Sequence, residues 1–186
     1  SFSKKPKMDE LVDILDEHGN YTGETAMKSK AHQLGLFHPT IHVWCFSKKG
    51  QVLLQQRGTN KSTYPLKWDV SVAGHIGAGE SPETAAFREV QEEIGVTIKV
   101  SKLENIGIFK TEKKHSERIW DREFTHTFLY VLDEKTTLTK QVSEVEALEW
   151  VFLEDFERMA ANEDKRFVPN SIERYRQVIQ EIKSRL

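Results

Sequence analysis

A single cysteine, Cys45, leaves no pair from which a disulfide could form, which excludes the stapled scaffolds of small secreted domains. Long apolar runs are missing too. No stretch approaches the roughly 20 residues a membrane-spanning helix needs, and no secretory signal pattern is present. Strong charge of one sign is also absent. There are 27 Lys and Arg against 29 Asp and Glu, a net charge of -2. A nucleic-acid partner calls for a basic stripe that tracks phosphates, and the opening SFSKKPK is basic but too short to be one. Residues 1–7 read as a disordered leader. Repeats and low-complexity tracts are lacking. What remains is 186 residues, 38% hydrophobic, enough for one domain with a sizeable core over residues 8–186. The expected setting is a reducing cytoplasm and the expected partner a small molecule.

The apolar pattern alternates between strand and helix periods. LVDIL (11–15), a DEHGN turn and YTGETAM predict a hairpin. Residues 28–34 form a short helix stopped by Gly35. IHVWCF (41–46) and QVLLQ (51–55) flank SKKG, a hairpin turn. WDVSVA (68–73), residues 98–109, 123–132 and 147–152 read as strands, and residues 153–161 and 171–186 as helices. The central helix carries the clearest signals: Ser81 caps it, Pro82 fits its first position and Gly95 its C′ position. Ala86, Val90 and Ile94 recur every four residues as its buried stripe. Strands on both sides of this helix give an α/β or α+β class with a mixed sheet.

The same helix sets Glu89, Glu92 and Glu93 at i, i+3 and i+4, where like charges converge and repel. A solvated acidic face is one explanation. A hard divalent cation, which needs several oxygen ligands, is the other. The surroundings favour the cation. Gly74, Glu80, Arg88, Glu89, Val90, Glu92, Glu93, Gly95 and Val96 fit Gly-x5-Glu-x7-Arg-Glu-U-x-Glu-Glu-x-Gly-U, with U apolar. This resembles the signature of Nudix (MutT-like) hydrolases at every fixed position.

The resemblance implies an α/β/α sandwich with a mixed central sheet, and metal-dependent cleavage of a nucleoside diphosphate derivative or similar small molecule. It implies Mg²⁺ or Mn²⁺ on Glu89, Glu92 and Glu93, with the backbone at Gly74 completing the sphere. Arg88 and Glu80 would pair to hold the carboxylates. Glu93 and Glu89 are the first candidates for general base and Glu123 the second. Gly77 and Gly79 would bring backbone to the pyrophosphate, and Arg57 would clamp a phosphate. Family members are often homodimers.

Beyond the box, AHQLGLFHPTIHVWCF and GQVLLQQRGTNKSTYPLKWDVSVAGH resemble the type 1 isopentenyl diphosphate isomerases and hydrolases similar to them. In that isomerase, histidines and a Glu-x-Glu pair hold a metal while a cysteine and a glutamate move the proton. Here His32, His38 and His75 match the histidines, and Asp121 and Glu123 the carboxylates. His38, His75 and Glu123 thus form a second metal set, or else ordinary surface and capping residues. Ala73 stands where the isomerase has its cysteine, and a methyl group moves no proton. Hydrolysis is therefore favoured over isomerisation. Trp120 is the aromatic expected at a substrate, and KTEKKHSER (110–118) is expected to be a mobile specificity loop. Phe167 either closes over the site or packs in the core.

Overall fold

The computed structural model describes residues 8–169 and 172–186. The leader expected at residues 1–7 and the helix start expected at Ser171 lie outside the described residues. The N-terminal hairpin pairs β1 (Leu11–Leu15) with β2 (Tyr21–Met27). α1 (Lys28–Leu34) follows and stops at Gly35.

The larger sheet holds β3 (His38–Phe46), β4 (Gln51–Arg57), β5 (Trp68–Asp69), β6 (Val72–His75), β7 (Glu104–Ser116), β8 (Ile119–Val131) and β9 (Val145–Phe152). Its main order is β5-β4-β3-β8-β7, with β6 also on β3 and β9 on β4. β3 and β8 run parallel, with His38 beside Glu123; β3 and β6 run antiparallel, with His42 beside Ala73. The sheet is mixed, as the alternation of helix and strand signals implies.

Two apolar layers sandwich the sheet because its strands alternate. Ile41, Val43 and Cys45 of β3 face one side, where α2 (Pro82–Ile94) packs Ala85, Ala86, Val90 and Ile94 against them. Trp44 and Phe46 face the other side, against Phe156 of α3 (Leu153–Ala161) and Tyr175, Val178, Ile179 and Ile182 of α4 (Ile172–Lys183). Each fully buried Val, Leu, Ile or Phe side chain contributes roughly 1.5–3 kcal/mol. α2 begins and ends where its cap signals predict: Ser81 accepts from the Thr84 amide, and Gly95 takes the left-handed conformation at φ 71°.

Three expectations need correction. WDVSVA is not one strand; it breaks between β5 and β6. The strand expected over residues 98–109 starts only at Glu104, after a short 3-10 turn at Val100–Lys102. KTEKKHSER is not a loop but the tip of the long β7–β8 hairpin, paired from Glu104↔Leu129 to Ser116↔Ile119. Its charged residues conceal the strand because the hairpin projects past the core, where alternation no longer separates apolar from polar.

Cys45 is fully buried on the α2 side, and burial pushes its thiol up to about 12. A protonated, enclosed thiol is inert at neutral pH. The native protein should therefore resist a thiol-specific colorimetric reagent at pH 8 and react fully once unfolded in guanidinium. Rapid labelling of the native chain would place a reactive thiol where the fold has none.

Candidate active site

The loop from β6 into α2 is tied to the N-terminal hairpin. Ala78 N–H donates to the Leu11 carbonyl and Gly79 N–H to Asp13 Oδ2. Gly77 N–H donates to Glu80 Oε1 at 2.9 Å. Both glycine amides expected at a pyrophosphate thus have protein acceptors, and the two glycines shape the loop. Glu80 also takes a forked pair of bonds from Arg88, at 3.0 and 2.8 Å. Arg88 in turn reaches Glu89 Oε1 at 2.6 Å, the His75 carbonyl at 3.1 Å and Glu92 Oε2 at 3.6 Å. The bond to Glu80, with burial opposing and Glu89 adding, raises the Arg88 pKa and keeps it charged.

Glu89 is 0% exposed and Glu93 5%. These two carboxylates of α2 therefore do not face bulk water, whereas Glu92 is exposed. Glu89 lies against Gly74, where a Cβ would sit 2.4 Å from Glu89 Cδ. Glu93 Oε1 accepts from Gln55 Nε2 at 2.9 Å. Burial, reinforced by the neighbouring Glu89 carboxylate, holds Glu93 well above the ordinary glutamate range. Crowded, buried carboxylates of this kind fit a hard divalent cation, which would relieve both costs at once.

A second cluster sits beside the first. His32 from α1, His38 from β3, His75 from β6 and Glu123 from β8 offer ligand atoms within 4.8 Å of one another. The ring centroids of His38 and His75 are 5.2 Å apart, and His32 lies 5.2 and 5.5 Å from them. His38 Nδ1 lies 2.9 Å from the Leu36 carbonyl, which fixes Nδ1 as donor and turns Nε2 toward Glu123 Oε1 at 3.6 Å. Among the described residues, His32 Nε2 and His38 Nε2 are buried and make no hydrogen bond. Burial pushes His32 down to about 4, so its ring is neutral. Burial also opposes charge on His38, but Glu123 outweighs it and raises His38. Glu123 responds inversely: burial lifts it, and His38 brings it back below the usual value. Three imidazoles and a carboxylate converging this closely form a donor set suited to a borderline transition ion.

Glu93 of the first cluster and His32, His75 and Glu123 of the second line one cleft of about 290 Å³. Arg57, Lys61, Lys113 and Arg174 line it, together with Glu93, Gly74, His75 and Glu123. Arg57 bonds the Thr63 carbonyl and hydroxyl at 3.1 Å and lies 3.7 Å from Asp69, so it also holds the 58–67 loop in place. Arg174 donates to Thr111 Oγ1 at 2.8 Å. Asp121 is not among the four clustered donors; it bridges His32 at 3.4 Å and His115 at 2.7 Å. Burial, and then Glu123, raises Asp121.

Trp120 does not line the cleft; it stacks under the Arg122 guanidinium at 3.9 Å. Phe167 packs in the core, 5.8 Å from the Phe156 ring, while Val168 and Pro169 just after it reach the cleft. Sequence reasoning missed Lys61 and Arg174 and named Lys113 and His115 only as part of the expected specificity segment 110–118. They come from a loop, a hairpin tip and the last helix, and no local spacing links them. Ala73 lines the cleft and Cys45 does not.

A family profile described as NUDIX domain matches residues 36–171. Nudix hydrolase 3 of Arabidopsis thaliana is 32% identical over 169 residues, 88% of this chain but only 22% of its own length. A Clostridium acetobutylicum protein named as an uncharacterized Nudix hydrolase is 37% identical, over 83% of this chain and 75% of that protein. A Nocardia farcinica protein named isopentenyl-diphosphate delta-isomerase is 32% identical, over 85% and 88%. A Deinococcus radiodurans crystal structure superposes with a TM-score of 0.70 at 20% identity, covering 90% of this chain and 98% of that one. At that identity it speaks for the fold alone.

Proposed function

This chain belongs to the Nudix family of hydrolases, enzymes of pyrophosphate bonds, and from that premise we propose that it hydrolyses a diphosphate linkage in a small molecule with Mg²⁺ or Mn²⁺. One observation carries the reading: buried Glu93, crowded by the buried Glu89 carboxylate, borders a cleft whose lining also carries Lys28, Arg57, Lys61, Lys113 and Arg174. A metal-diphosphate unit would bring a cation to Glu93 and anionic oxygens to these lysines and arginines.

Glu89, Glu92 and Glu93 would hold the ion, with the Gly74 backbone beside them. When bound, it would neutralise charge on the leaving oxygen and acidify a water. Arg88, clamped by Glu80, holds Glu89 in its orientation. Glu93 is our first candidate to take the proton from water, since a raised carboxylate pKa suits a base working near neutrality. Glu123, on the opposite wall, is the second candidate. Arg57, Lys61, Lys113 and Arg174 would orient the phosphates. His38, His75 and Glu123, joined by His32, would hold a second ion; an imidazole-rich set favours Mn²⁺ or Zn²⁺ over Mg²⁺.

A panel of diphosphates, assayed for phosphate or monophosphate release, should show turnover with Mg²⁺ or Mn²⁺ and none after chelation. A chain that binds metal and cleaves nothing on the panel would sink the reading.

The histidine cluster also supports isomerisation of isopentenyl diphosphate. The cleft supplies no thiol for that chemistry: Ala73 stands opposite His42, and Cys45 is buried in the core under α2 and does not line the cleft. Deuterium from heavy water should therefore stay out of the allylic positions of isopentenyl diphosphate. Its incorporation would restore the isomerase reading.

A further inference from the structure

Along one side of β3, alternate residues change character in order. His38 belongs to the histidine cluster, Thr40 and His42 follow, and Trp44 is buried in the core, 5.6 Å from the Phe156 ring. β8 runs beside them, with Thr125 next to Thr40 and Thr127 next to His42. On the other side, β6 sets His75 next to Thr40 and Ala73 next to His42. Thr40, His42, Ala73 and His75 all line the cleft. At about 3.3 Å per residue, His42 stands about 13 Å along the strand from His38, where the polar floor of the cleft meets the core.

The polar groups around His42 are committed to the protein. The Thr40 and Thr125 hydroxyls bond each other at 2.8 Å, and the Thr127 hydroxyl donates to the Thr125 carbonyl at 3.3 Å. Arg57 holds Thr63, and Arg174 donates to Thr111. Among the described residues, none hydrogen-bonds the half-buried His42 ring. Polar groups left this way inside a fold are few and call for a reason. A ring that faces a cleft keeps its bonds for water, or for the ligand atom that displaces water.

Burial, opposed by Asp69 and assisted by Arg174, lowers the His42 pKa, so the ring is neutral near pH 7. A neutral imidazole offers one N–H donor and one lone pair. The lone pair repels a phosphate oxygen, whereas a hydroxyl, both donor and acceptor, complements either nitrogen. A hydrocarbon in the same place would strip water from the ring and replace none of its bonds.

We infer that His42 is a specificity residue that contacts the organic group carried by the diphosphate and hydrogen-bonds a hydroxyl on it. The inference rests on the diphosphate reading above and adds to it a residue outside the acidic helix, the histidine cluster and the cleft cations.

The test measures kcat/KM, with Mg²⁺ or Mn²⁺, for matched pairs: propyl against 2,3-dihydroxypropyl diphosphate, and cyclopentylmethyl diphosphate against ribose 5-diphosphate. The native protein should favour the hydroxylated member of each pair by about tenfold. His42→Phe keeps a ring and removes both nitrogens. It should bring the ratio to within about twofold of unity, with the loss confined to the hydroxylated members and carried by KM. His42→Gln, which keeps an N–H donor, should restore part of the ratio. A purely structural role for His42 would slow both members of a pair alike and leave the ratio unmoved. Should His42→Phe not fold, His42→Ala removes the same nitrogens without adding bulk and should flatten the ratio likewise. Equal turnover within each pair by the native protein, or an unchanged ratio in whichever variant folds, overturns the inference and leaves the hydrolase reading intact. No turnover of any compound by metal-loaded protein overturns both.

Discussion

Replacing Glu93 with Gln should lower kcat/KM by about 10²- to 10⁴-fold, the range for removing a general base, and the protein should keep its fold. The amide is isosteric, and its oxygen can still accept from Gln55 Nε2, which donates to Glu93 at 2.9 Å. Its NH₂ then meets Glu89, so two carboxylates no longer share a buried site. Without metal, Glu93→Gln should melt no lower than the native chain. With Mn²⁺ added, the native chain should gain stability by mass action and the variant should gain much less. Paired kinetic and melting curves check both halves. Activity within threefold of native would remove Glu93 from the chemistry, and an equal Mn²⁺ effect in both proteins would remove it from the ion.

Gly74→Ala should damage the site from outside the acidic triad. The added Cβ falls 2.4 Å from Glu89 Cδ, 2.6 Å from Cγ and 2.8 Å from Oε1. Glu89 has no easy retreat: its side chain is wholly buried, and Arg88 holds it at 2.6 Å while Glu80 holds Arg88. Overpacking of this kind costs about 1–3 kcal/mol, a fall of roughly 3–10 °C in Tm for a domain of this size. Activity should drop on the order of 10²-fold, since a displacement of about 1 Å in a positioned group has that effect. Gly77→Ala is the control for stability, because its nearest contact would be 3.5 Å from Glu80. The double variant Gly74→Ala/Glu89→Asp shortens the crowded side chain and should regain stability without regaining activity. If Gly74→Ala alone melts and turns over like the native chain, Glu89 is not locked as the geometry indicates.

The local elements were legible where one signal decided them. α1 stops at Gly35, α2 spans Pro82–Ile94 between the caps Ser81 and Gly95, and α3 spans Leu153–Ala161, because caps and a 3.6-residue apolar period act within a few residues. The β7–β8 hairpin was misread for the complementary reason. Its stabilising partner is another strand, and a charged strand beyond the core has no apolar face to reveal it. Trp120 was misplaced because its position among charged residues could not show that it stacks with Arg122.

The spacing of Glu89, Glu92 and Glu93 on one helical face, with Arg88 and Glu80 in register, was set by the sequence alone, since helical geometry converts spacing directly into proximity. Tertiary structure decided that two of those glutamates are buried and that His38 meets Glu123 across parallel strands 85 positions apart in the chain. Those outcomes depend on strand register and helix packing between distant segments, and no local period encodes such long-range pairings.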